Sequence, residues 1–358
     1  MSRIESIEHE PARSFLSERR LAGCAEVLTA LAQAQPNIAL VKYWGKRDVA
    51  LNLPEHGSLS ITLDALWTRT RVTFDAGFES DRMLLDGRDY PEGLARAGAC
   101  LDLLRQRAGN LLPARVDTHN NFPTAAGLAS SASGFAALVL AGSAALGLDL
   151  DDRELSVLAR RASGSAARSI FGGFVEMHAG TRADGADACA SPLPGAASWR
   201  LCVVVAVTSV RAKAVRSGPG MDISRRTSPY HAAWLAGIDD DLRAARHAIR
   251  HRDFAGLAAV SEHNCLKMHA LMLASRPALV YWNGATVDCI HAVRELRERE
   301  GVEAFFTIDA GPQVKVVCTP AAVDRVAAVV GGIAGVQDVL VSGLGEGARV
   351  LPDAGAAA

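Results

Sequence analysis

The stretch that most constrains how this chain can fold is Asn120 to Phe135, NNFPTAAGLASSASGF, which runs directly into an apolar segment ending near Leu146. Its glycines let the backbone turn tightly and approach a ligand closely, and its serines place hydroxyls at the start of a helix. The first N–H groups of a helix lack intrahelical partners and carry partial positive charge, so an anion can satisfy them. The stretch favours a phosphate-binding loop, and the alternative is an ordinary loop before an Ala-rich helix.

This loop belongs to neither of the two best-known phosphate-binding patterns. No lysine follows its second glycine, so the GxxxxGK[ST] motif is absent, and no GxGxxG fingerprint occurs in the chain. A nucleotide would therefore be held by small residues and helix geometry, with the cations supplied by other segments.

Composition restricts the classes of partner. With 358 residues, 49% apolar and 22% charged, the chain can bury one large or two moderate cores. The formal net charge of −1 gives no general attraction to nucleic acid or to an anionic membrane, so any anion site must be a local concentration of lysine and arginine.

The cysteines and the apolar segments indicate a cytoplasmic protein. The seven cysteines are odd in number, scattered and never arranged as CxxC, which favours reduced thiols. Neither a signal peptide nor a stretch long and apolar enough to span a bilayer is expected.

Three regions are expected along the chain. Residues 1–34 read as an N-terminal extension, in which LAGCAEVLTALAQ predicts a short amphipathic helix with Leu21, Val27, Leu28 and Leu31. Residues 35–195 form a first domain with the phosphate loop, and residues 196–350 form a second domain. The junction is predicted in a stretch rich in glycine, alanine, aspartate and proline.

Two segments carry cations that could serve a site. In PNIALVKYWGKRD a short strand ends in a polar turn, so Lys42, Tyr43 and Lys46 leave the sheet together, although most single lysines are solvated surface charges. In SGSAARSIFGGF, Arg168 has no local acid partner, so a ligand carboxylate or phosphate is a candidate for its donors. The alternative is a buried arginine paired with a distant aspartate.

A local basic patch is predicted in RAKAVRSGPGMDISRR. It contains a single acid, Asp222, and these cations: Arg211, Lys213, Arg216, Arg225 and Arg226. A glycine-containing loop with unpaired cations can close over a polyanion, whereas a merely solvated loop is the alternative.

One carboxylate and one histidine pair complete the candidate groups. Asp309 follows a strand and precedes Ala-Gly-Pro, so its carboxylate would project from a rigid edge, unless it only bonds its own backbone. His247 and His251 lie four apart on a helix, but neighbouring arginines and the lack of a third ligand argue against a metal. Together the pieces predict phosphoryl transfer from a nucleotide to a small anionic alcohol.

Four long motifs then make the prediction specific. NIALVKYWGKRD, NNFPTAAGLASSASG, SGSAARSIFGGF and TIDAGPQVKV resemble, in order, the motifs of the mevalonate diphosphate decarboxylase family of the GHMP kinase superfamily. The likeness covers about residues 36–345. It implies a two-part α+β fold, with a ribosomal-protein-S5-like N-terminal part and a ferredoxin-like C-terminal part, and usually a homodimer. The implied reaction uses ATP and Mg²⁺ to convert mevalonate 5-diphosphate into isopentenyl diphosphate, CO₂, ADP and phosphate.

The resemblance also implies roles for individual residues. Asp309 would accept or orient the hydroxyl proton, Lys42 would stand near the transferring phosphoryl group, Arg168 would hold the substrate carboxylate, and Tyr43 and Lys46 would lie near the substrate diphosphate. The residues implied to assist Arg168 are Ser163, Gly164 and Ser165. Those implied to line the ATP phosphates are Ala126, Gly127, Ser130, Ser131 and Ser133.

Two departures from the family pattern leave the natural substrate open. Where the family usually has two serines after valine, this chain has Arg216 and Ser217, so one substrate-contacting serine is kept and the other is replaced. Where the family has asparagine, this chain has His56. Mevalonate 5-diphosphate is the favoured substrate; the alternatives are a relative that decarboxylates the monophosphate or acts as a mevalonate 3-kinase, and a non-catalytic binding protein on the same fold.

Overall fold

The computed structural model describes residues 27–122, 130–196 and 198–352. The strands in these ranges are β1 (Leu28–Ala34), β2 (Asn37–Val41), β3 (Lys46–Asp48), β4 (Leu53–Pro54), β5 (Ser58–Thr62), β6 (Thr68–Phe74), β7 (Arg82–Leu85), β8 (Arg88–Asp89), β9 (Ala114–Asn120), β10 (Phe174–Met177), β11 (Ala190–Pro192), β12 (Cys202–Val207), β13 (Ala304–Thr307), β14 (Val314–Cys318), β15 (Asp338–Ser342) and β16 (Arg349–Leu351). The helices are α1 (Pro91–Ala108), α2 (Ser130–Ala145), α3 (Asp152–Ala162), α4 (Ser217–Thr227), α5 (His231–Ala236), α6 (Ile238–His251), α7 (Phe254–Leu273), α8 (Gly284–Glu300) and α9 (Val323–Gly331). Short 3₁₀ turns occupy Ala166–Ile170 and Pro320–Ala322.

The strands form three main sheets, which confirms the α+β expectation. A six-stranded sheet has the order β16-β1-β6-β9-β7-β8, and a four-stranded sheet has the order β11-β10-β5-β2. The third sheet, β13-β14-β12-β15, packs against α7, α8 and α9. Within the described ranges, no helix combines the length and the apolar character needed to cross a membrane.

Helix α2 is buried on most of its surface, which explains its small side chains. It packs against β1 and β6 on one side and against α1 and α3 on the other. Leu104 Cδ1 lies 2.6 Å from where a Cβ at Gly142 would be, so a larger residue would force this buried leucine side chain to move.

Two short sequence patterns predict local structure that is confirmed here: Asp151 with Glu154 three residues later predicts a helix capping box, and Asp86-Gly87 predicts a hairpin turn. Asp151 caps α3 by accepting from the backbone N–H of Glu154 at 2.8 Å, and the Glu154 carboxylate accepts from the N–H of Asp151 at 3.3 Å. Between β7 and β8, Asp86 and Gly87 have φ of 51° and 78°, the two positive values that a tight hairpin turn requires.

The helix predicted in the N-terminal extension is wrong where the structure describes it. Leu28–Ala34 is strand β1, which pairs with β6 on one side and with β16 on the other. Backbone pairing on both edges outweighs the helix propensity of a short Leu/Ala sequence. The sheet of the first half therefore includes the last residues of the expected extension and the final strand of the chain, while Leu21 lies outside the described residues.

The two halves of the fold meet where β2 packs against α6 and α7. The Thr307 hydroxyl at the end of β13 donates to the carbonyl oxygen of Ala39 in β2 at 3.0 Å. This contact brings the residues that follow the two strands into one cleft.

Candidate active site

The centre of the cleft is an ion pair between Lys42, which follows β2, and Asp309, in the turn of residues 308–312 that joins β13 to β14. We call residues 308–312 the carboxylate turn. Lys42 Nζ donates to Asp309 Oδ1 at 3.0 Å and to the carbonyl oxygen of Ala39 at 2.7 Å. The Lys42 side chain is 1% exposed and that of Asp309 is 27% exposed, so the carboxylate is the member of the pair that a ligand can reach.

A second lysine faces the other oxygen of the same carboxylate. Lys315 lies on β14, its side chain is 1% exposed, and its Nζ is 3.6 Å from Asp309 Oδ2. Burial alone would raise the pKa of the Asp309 carboxyl, but Lys42 and Lys315 outweigh burial and hold that pKa below its usual range. Asp309 is therefore ionised at neutral pH and is a strong hydrogen-bond acceptor, but a weak base.

Arg168 is buried next to this carboxylate, and the protein holds two of its three guanidinium nitrogens. Its Nε donates to Ser60 Oγ at 2.9 Å and to Asn37 Oδ1 at 3.2 Å, and Nη1 donates to Ser58 Oγ at 2.7 Å. No carboxylate lies within ion-pair distance of Arg168 in the part of the chain that the structure describes, and Nη2 has no acceptor there. Burial lowers the pKa of Arg168 to about 10, with Asp309 opposing the shift, so the group stays charged and its Nη2 is available to an anion.

The loop of Ser163, Gly164 and Ser165 lies beside Tyr43. A Cβ at Gly164 would be 2.3 Å from Tyr43 Oη, so only glycine leaves room for the tyrosine. The Tyr43 hydroxyl is buried without a hydrogen-bond partner in the structure, and burial raises its pKa. Ser163 Oγ and Ser165 Oγ are 3.5 Å apart. The loop, Tyr43 and Arg168 thus line one side of the cleft with polar groups.

Lys46 stands on the next strand, four residues after Lys42. It begins β3, and its Nζ donates to Asn52 Oδ1 at 2.5 Å. Burial and the nearby Arg96 lower its pKa. The pKa of Arg96 on α1 is itself lowered, mainly by burial and in part by the charge of Arg216. Lys46, Arg96 and Arg216 therefore lie near one another on this side of the cleft. Arg96 was not predicted, because a single arginine on an amphipathic helix has no distinguishing sequence signal.

The N-terminus of α2 opens onto a cavity of about 120 Å³. Ser130, Ser131, Arg96 and Arg216 are among its lining residues. Ser133 instead faces β6, where its Oγ is 2.6 Å from Thr68 Oγ1. Ala126 and Gly127 lie outside the described residues. An adjoining open depression of about 760 Å³ shares three lining residues with the cavity, Leu85, Tyr90 and Asn120.

The predicted basic patch divides in two. Lys213 lies close to the ion pair: burial and Lys315 lower its pKa to about 8, while Asp309 opposes that shift. Its Nζ is 5.9 Å from the centre of the Tyr281 ring. Arg216, which precedes α4, is exposed and lines the cavity, and Ser217 begins that helix. The cleft therefore receives cations from this loop at two points.

Two other cations of the patch, Arg225 and Arg226, are paired with an acid. Arg225 and Arg226 lie in the last turn of α4 and contact the Asp222 carboxylate at 3.6 and 2.8 Å. The expectation of unpaired charge there is wrong, because helical spacing places both arginines next to the one acid of the segment.

Both histidine candidates contact protein groups. His56 is buried, with Nδ1 at 2.7 Å from the carbonyl oxygen of Gly57 and its ring against Trp234. The rings of His247 and His251 are 4.2 Å apart. In the described ranges, no three side chains of the metal-binding types come together.

Several site residues were missed by the sequence-based predictions. Ser58, Ser60 and Asn37 hold Arg168, and their signal was a polar residue within a short, otherwise apolar strand. Lys315 was missed although it stands in a run of valines, where a charged residue without a function is costly. In both cases, a polar or charged residue within an apolar strand could have been recognised in the sequence as a buried polar position.

A two-part α+β fold, with a phosphate-sized cavity at a helix N-terminus and a carboxylate between cations, defines the class of the GHMP kinases. Two family models match the chain. Residues 34–190 match the diphosphomevalonate decarboxylase-like N-terminal domain, and residues 203–344 match the mevalonate 5-diphosphate decarboxylase C-terminal domain. The chain belongs to the diphosphomevalonate decarboxylase family.

Individual relatives agree with this assignment. The chain is 40% identical to the human diphosphomevalonate decarboxylase over 299 residues, covering 78% of this chain and 74% of the relative. It is 38% identical to the Candida albicans enzyme over 313 residues, covering 83% and 86%. The solved mevalonate diphosphate decarboxylase of Staphylococcus aureus superposes with a TM-score of 0.86 at 37% identity, covering 91% of this chain and 99% of that one. A solved relative in complex with MVAPP, AMPPCP and magnesium gives a TM-score of 0.85 at 37% identity over the same shares.

Proposed function

We propose that this protein catalyses the ATP-dependent decarboxylation of mevalonate 5-diphosphate to isopentenyl diphosphate, CO₂, ADP and phosphate. The observation that carries the proposal is the placement of two charged groups in one cleft: the Asp309 carboxylate, with a lysine at each oxygen, and the Arg168 guanidinium, whose Nη2 has no acceptor among the described residues. Two such groups suit a substrate with a hydroxyl and a carboxylate on neighbouring carbons. The family relatives support the same reaction.

Arg168 binds the substrate carboxylate in this proposal. The serines and the asparagine hold Nε and one N–H of Nη1, so Nη2 and the second N–H of Nη1 are left to donate two parallel hydrogen bonds, the geometry in which arginine recognises a carboxylate. Ser163, Gly164 and Ser165 close that side of the site, as the family resemblance implies.

Asp309 accepts a hydrogen bond from the 3-hydroxyl of the substrate and polarises it. Because its pKa is held low, its main contribution is orientation and charge, and the hydroxyl proton passes to an oxygen of the phosphoryl group as that group is transferred to the substrate oxygen. The carbon–oxygen bond of the new phosphate ester then breaks with its electrons on the phosphate. The electrons of the carbon–carboxylate bond form the double bond as CO₂ departs.

Charge balance explains the number of cations. A carboxylate, a diphosphate and a triphosphate bring roughly seven negative charges into one cleft, and their repulsion must be offset. Lys42 and Lys213 lie near the transferring phosphoryl group, Tyr43 and Lys46 near the substrate diphosphate, and Arg216 at the loop between the two phosphate chains.

ATP fits the cavity at α2 and its adjoining depression. The Ser130 and Ser131 hydroxyls and the free N–H groups of the helix suit its phosphates. Magnesium, when bound, neutralises charge between the phosphate groups, and the serine hydroxyls are suitable additional ligands for this oxygen-preferring ion. As the family resemblance implies, Ala126 and Gly127 would line the same phosphates, while Ser133 would support the helix through its contact to β6.

Three further expectations belong to this proposal. The chain works in the cytoplasm as a homodimer; the cysteines of the described ranges, all of them free thiols, support a reducing compartment. Residues 35–195 and 196–350 act as two domains that meet at the cleft, with a short extension before them.

The test measures ADP and CO₂ side by side with mevalonate, its 5-phosphate and its 5-diphosphate. Equal amounts of ADP and CO₂, with a much higher kcat/KM for the diphosphate, are expected. ADP without CO₂ would make the protein a 3-kinase, a preference for the monophosphate would change the substrate, and no ATP turnover with any of the three would leave a binding protein.

A further inference from the structure

The backbone of the carboxylate turn is held from α7 by His269, a residue without a role so far. His269 is 3% exposed, and its Nε2 lies 2.9 Å from the carbonyl oxygen of Asp309. A carbonyl oxygen can only accept, so Nε2 carries the proton and donates. Burial and the charge of Lys42 lower the pKa of His269 to about 3, so the ring is neutral at working pH and keeps one fixed N–H donor.

The hydrogen bond from His269 is the last of three contacts that side chains of α7 make with backbone groups along the edge of the third sheet. β13 is an edge strand, and α7 packs against it. The Glu262 carboxylate accepts from the N–H of Phe306 at 3.1 Å, and Cys265 Sγ accepts from that of Ile308 at 3.2 Å. Residues 262, 265 and 269 share one helix face. Their side chains bind the backbone groups that a further strand would otherwise pair with, and the last of these groups is the carbonyl oxygen of Asp309 in the carboxylate turn.

Trp282 fixes the plane of the imidazole. The two rings are 4.5 Å apart at an angle of 43°. Trp282 Nε1 is 3.3 Å from His269 Nε2, but Nε2 already carries a proton, so the tryptophan acts by ring packing. The orientation of the donor therefore depends on the aromatic surface of Trp282.

The same helix also holds the other member of the ion pair. Asn264 Oδ1 accepts from the backbone N–H of Lys42 at 2.8 Å, and its Nδ2 donates to Asp241 Oδ2 at 2.6 Å. Both Lys42 and Asp309 are thus anchored by their backbones to one rigid element.

We propose that His269, oriented by Trp282, is a positioning residue that holds the carboxylate turn so that Asp309 meets the substrate hydroxyl in reactive geometry. This inference rests on the proposed function of Asp309 but adds a role for His269 and Trp282, which act on the backbone of the carboxylate turn. A displacement of about 1 Å at a reacting group can cost on the order of 100-fold in rate while leaving binding almost intact.

The experiment compares three replacements of His269 in the full-length enzyme. His269→Gln places an amide nitrogen where Nε2 was and should keep kcat within about 3-fold. His269→Met fills the space without a donor, and His269→Asn places its amide nitrogen where Nδ1 was; both should lower kcat about 10-fold or more. The KM values for ATP and mevalonate 5-diphosphate should change less than about 3-fold, because the binding groups are untouched.

Two further variants serve as controls. Ser261→Ala removes a buried hydroxyl without a partner from the same helix, so it should leave kcat unchanged. Trp282→Phe keeps an aromatic ring but removes Nε1. Its kcat should stay close to the wild-type value, because Trp282 acts on His269 by ring packing. Thermal unfolding is measured for every variant.

Several results would overturn the proposal. Wild-type kcat in His269→Met, equal losses in the Gln and Asn variants, or a loss confined to KM would each remove the positioning role. If His269→Met does not fold, the difference in kcat between His269→Gln and His269→Asn tests the positioning role. Failure of the wild-type enzyme to turn over mevalonate 5-diphosphate would instead contradict the proposed function, so the two failures are distinguishable.

Discussion

Arg168→Lys tests the carboxylate site most directly, because it keeps the charge and changes only the geometry. In the structure, Ser58, Ser60 and Asn37 hold Nε and one N–H of Nη1, leaving Nη2 and the second N–H of Nη1 to donate in parallel. An ammonium at the end of a lysine side chain cannot bond all of these acceptors and also donate two parallel bonds to a carboxylate.

The expected loss follows from the bonds that lysine cannot make. Loss of one of two charge-assisted hydrogen bonds costs about 1.5–3 kcal/mol. At about 1.4 kcal/mol per factor of ten, kcat/KM for mevalonate 5-diphosphate should fall about 10- to 100-fold. The KM for ATP should stay nearly constant.

The assay follows ADP release with the natural substrate and with an analogue carrying a methyl group in place of the carboxylate. Wild type should prefer the carboxylate strongly, and Arg168→Lys should lose most of that preference. Arg160→Lys is the matched control: Arg160 is also fully buried and donates to the carbonyl oxygens of Leu51 and Gly185 at 2.8 and 3.1 Å. It should lower the unfolding temperature while retaining kcat/KM.

Two results would refute the reasoning. Wild-type kcat/KM in Arg168→Lys would mean that the substrate carboxylate lies elsewhere. An equal fall with both the natural substrate and the methyl analogue would mean that the substitution acts through the fold, with no specific contact to the carboxylate.

Three other predictions concern the cleft. Asp309→Asn should lower kcat by roughly 100-fold or more with little change in ATP affinity measured by calorimetry, and near wild-type turnover would remove Asp309 from the chemistry. Arg216→Ser should weaken the diphosphate substrate by about 1.5–3 kcal/mol and mevalonate much less; a rise in the KM for ATP alone would instead assign Arg216 to the nucleotide, beside Ser130. Because the pKa of Lys213 is lowered to about 8, its cation is present below that pH and lost above it, so kcat/KM for ATP should fall as pH rises through about 8. Lys213→Arg should move that fall to higher pH, and an unchanged profile would exclude Lys213 as its source.

The sequence by itself determined the local elements and the chemical class. Small residues and serines before an apolar run predicted a helix with a phosphate-sized opening, and Ser130 and Ser131 do line a cavity there. The capping box of α3 and the Asp86-Gly87 turn were predictable because short-range hydrogen bonds and φ requirements are written in adjacent residues. The four motifs predicted the family, because long ordered motifs are far more specific than any single residue.

The tertiary structure decided which charges meet. Asp309 and Lys42 are 267 positions apart in the chain, and no local pattern indicates that their oxygen and nitrogen lie 3.0 Å apart or that Lys315 faces the other oxygen. Leu28–Ala34 became a strand because both its edges found partners, one of them from the end of the chain. The low pKa of Asp309 and the fixed tautomer of His269 arise from burial and from neighbours distant in sequence, so they exist only once the two halves of the fold have packed together.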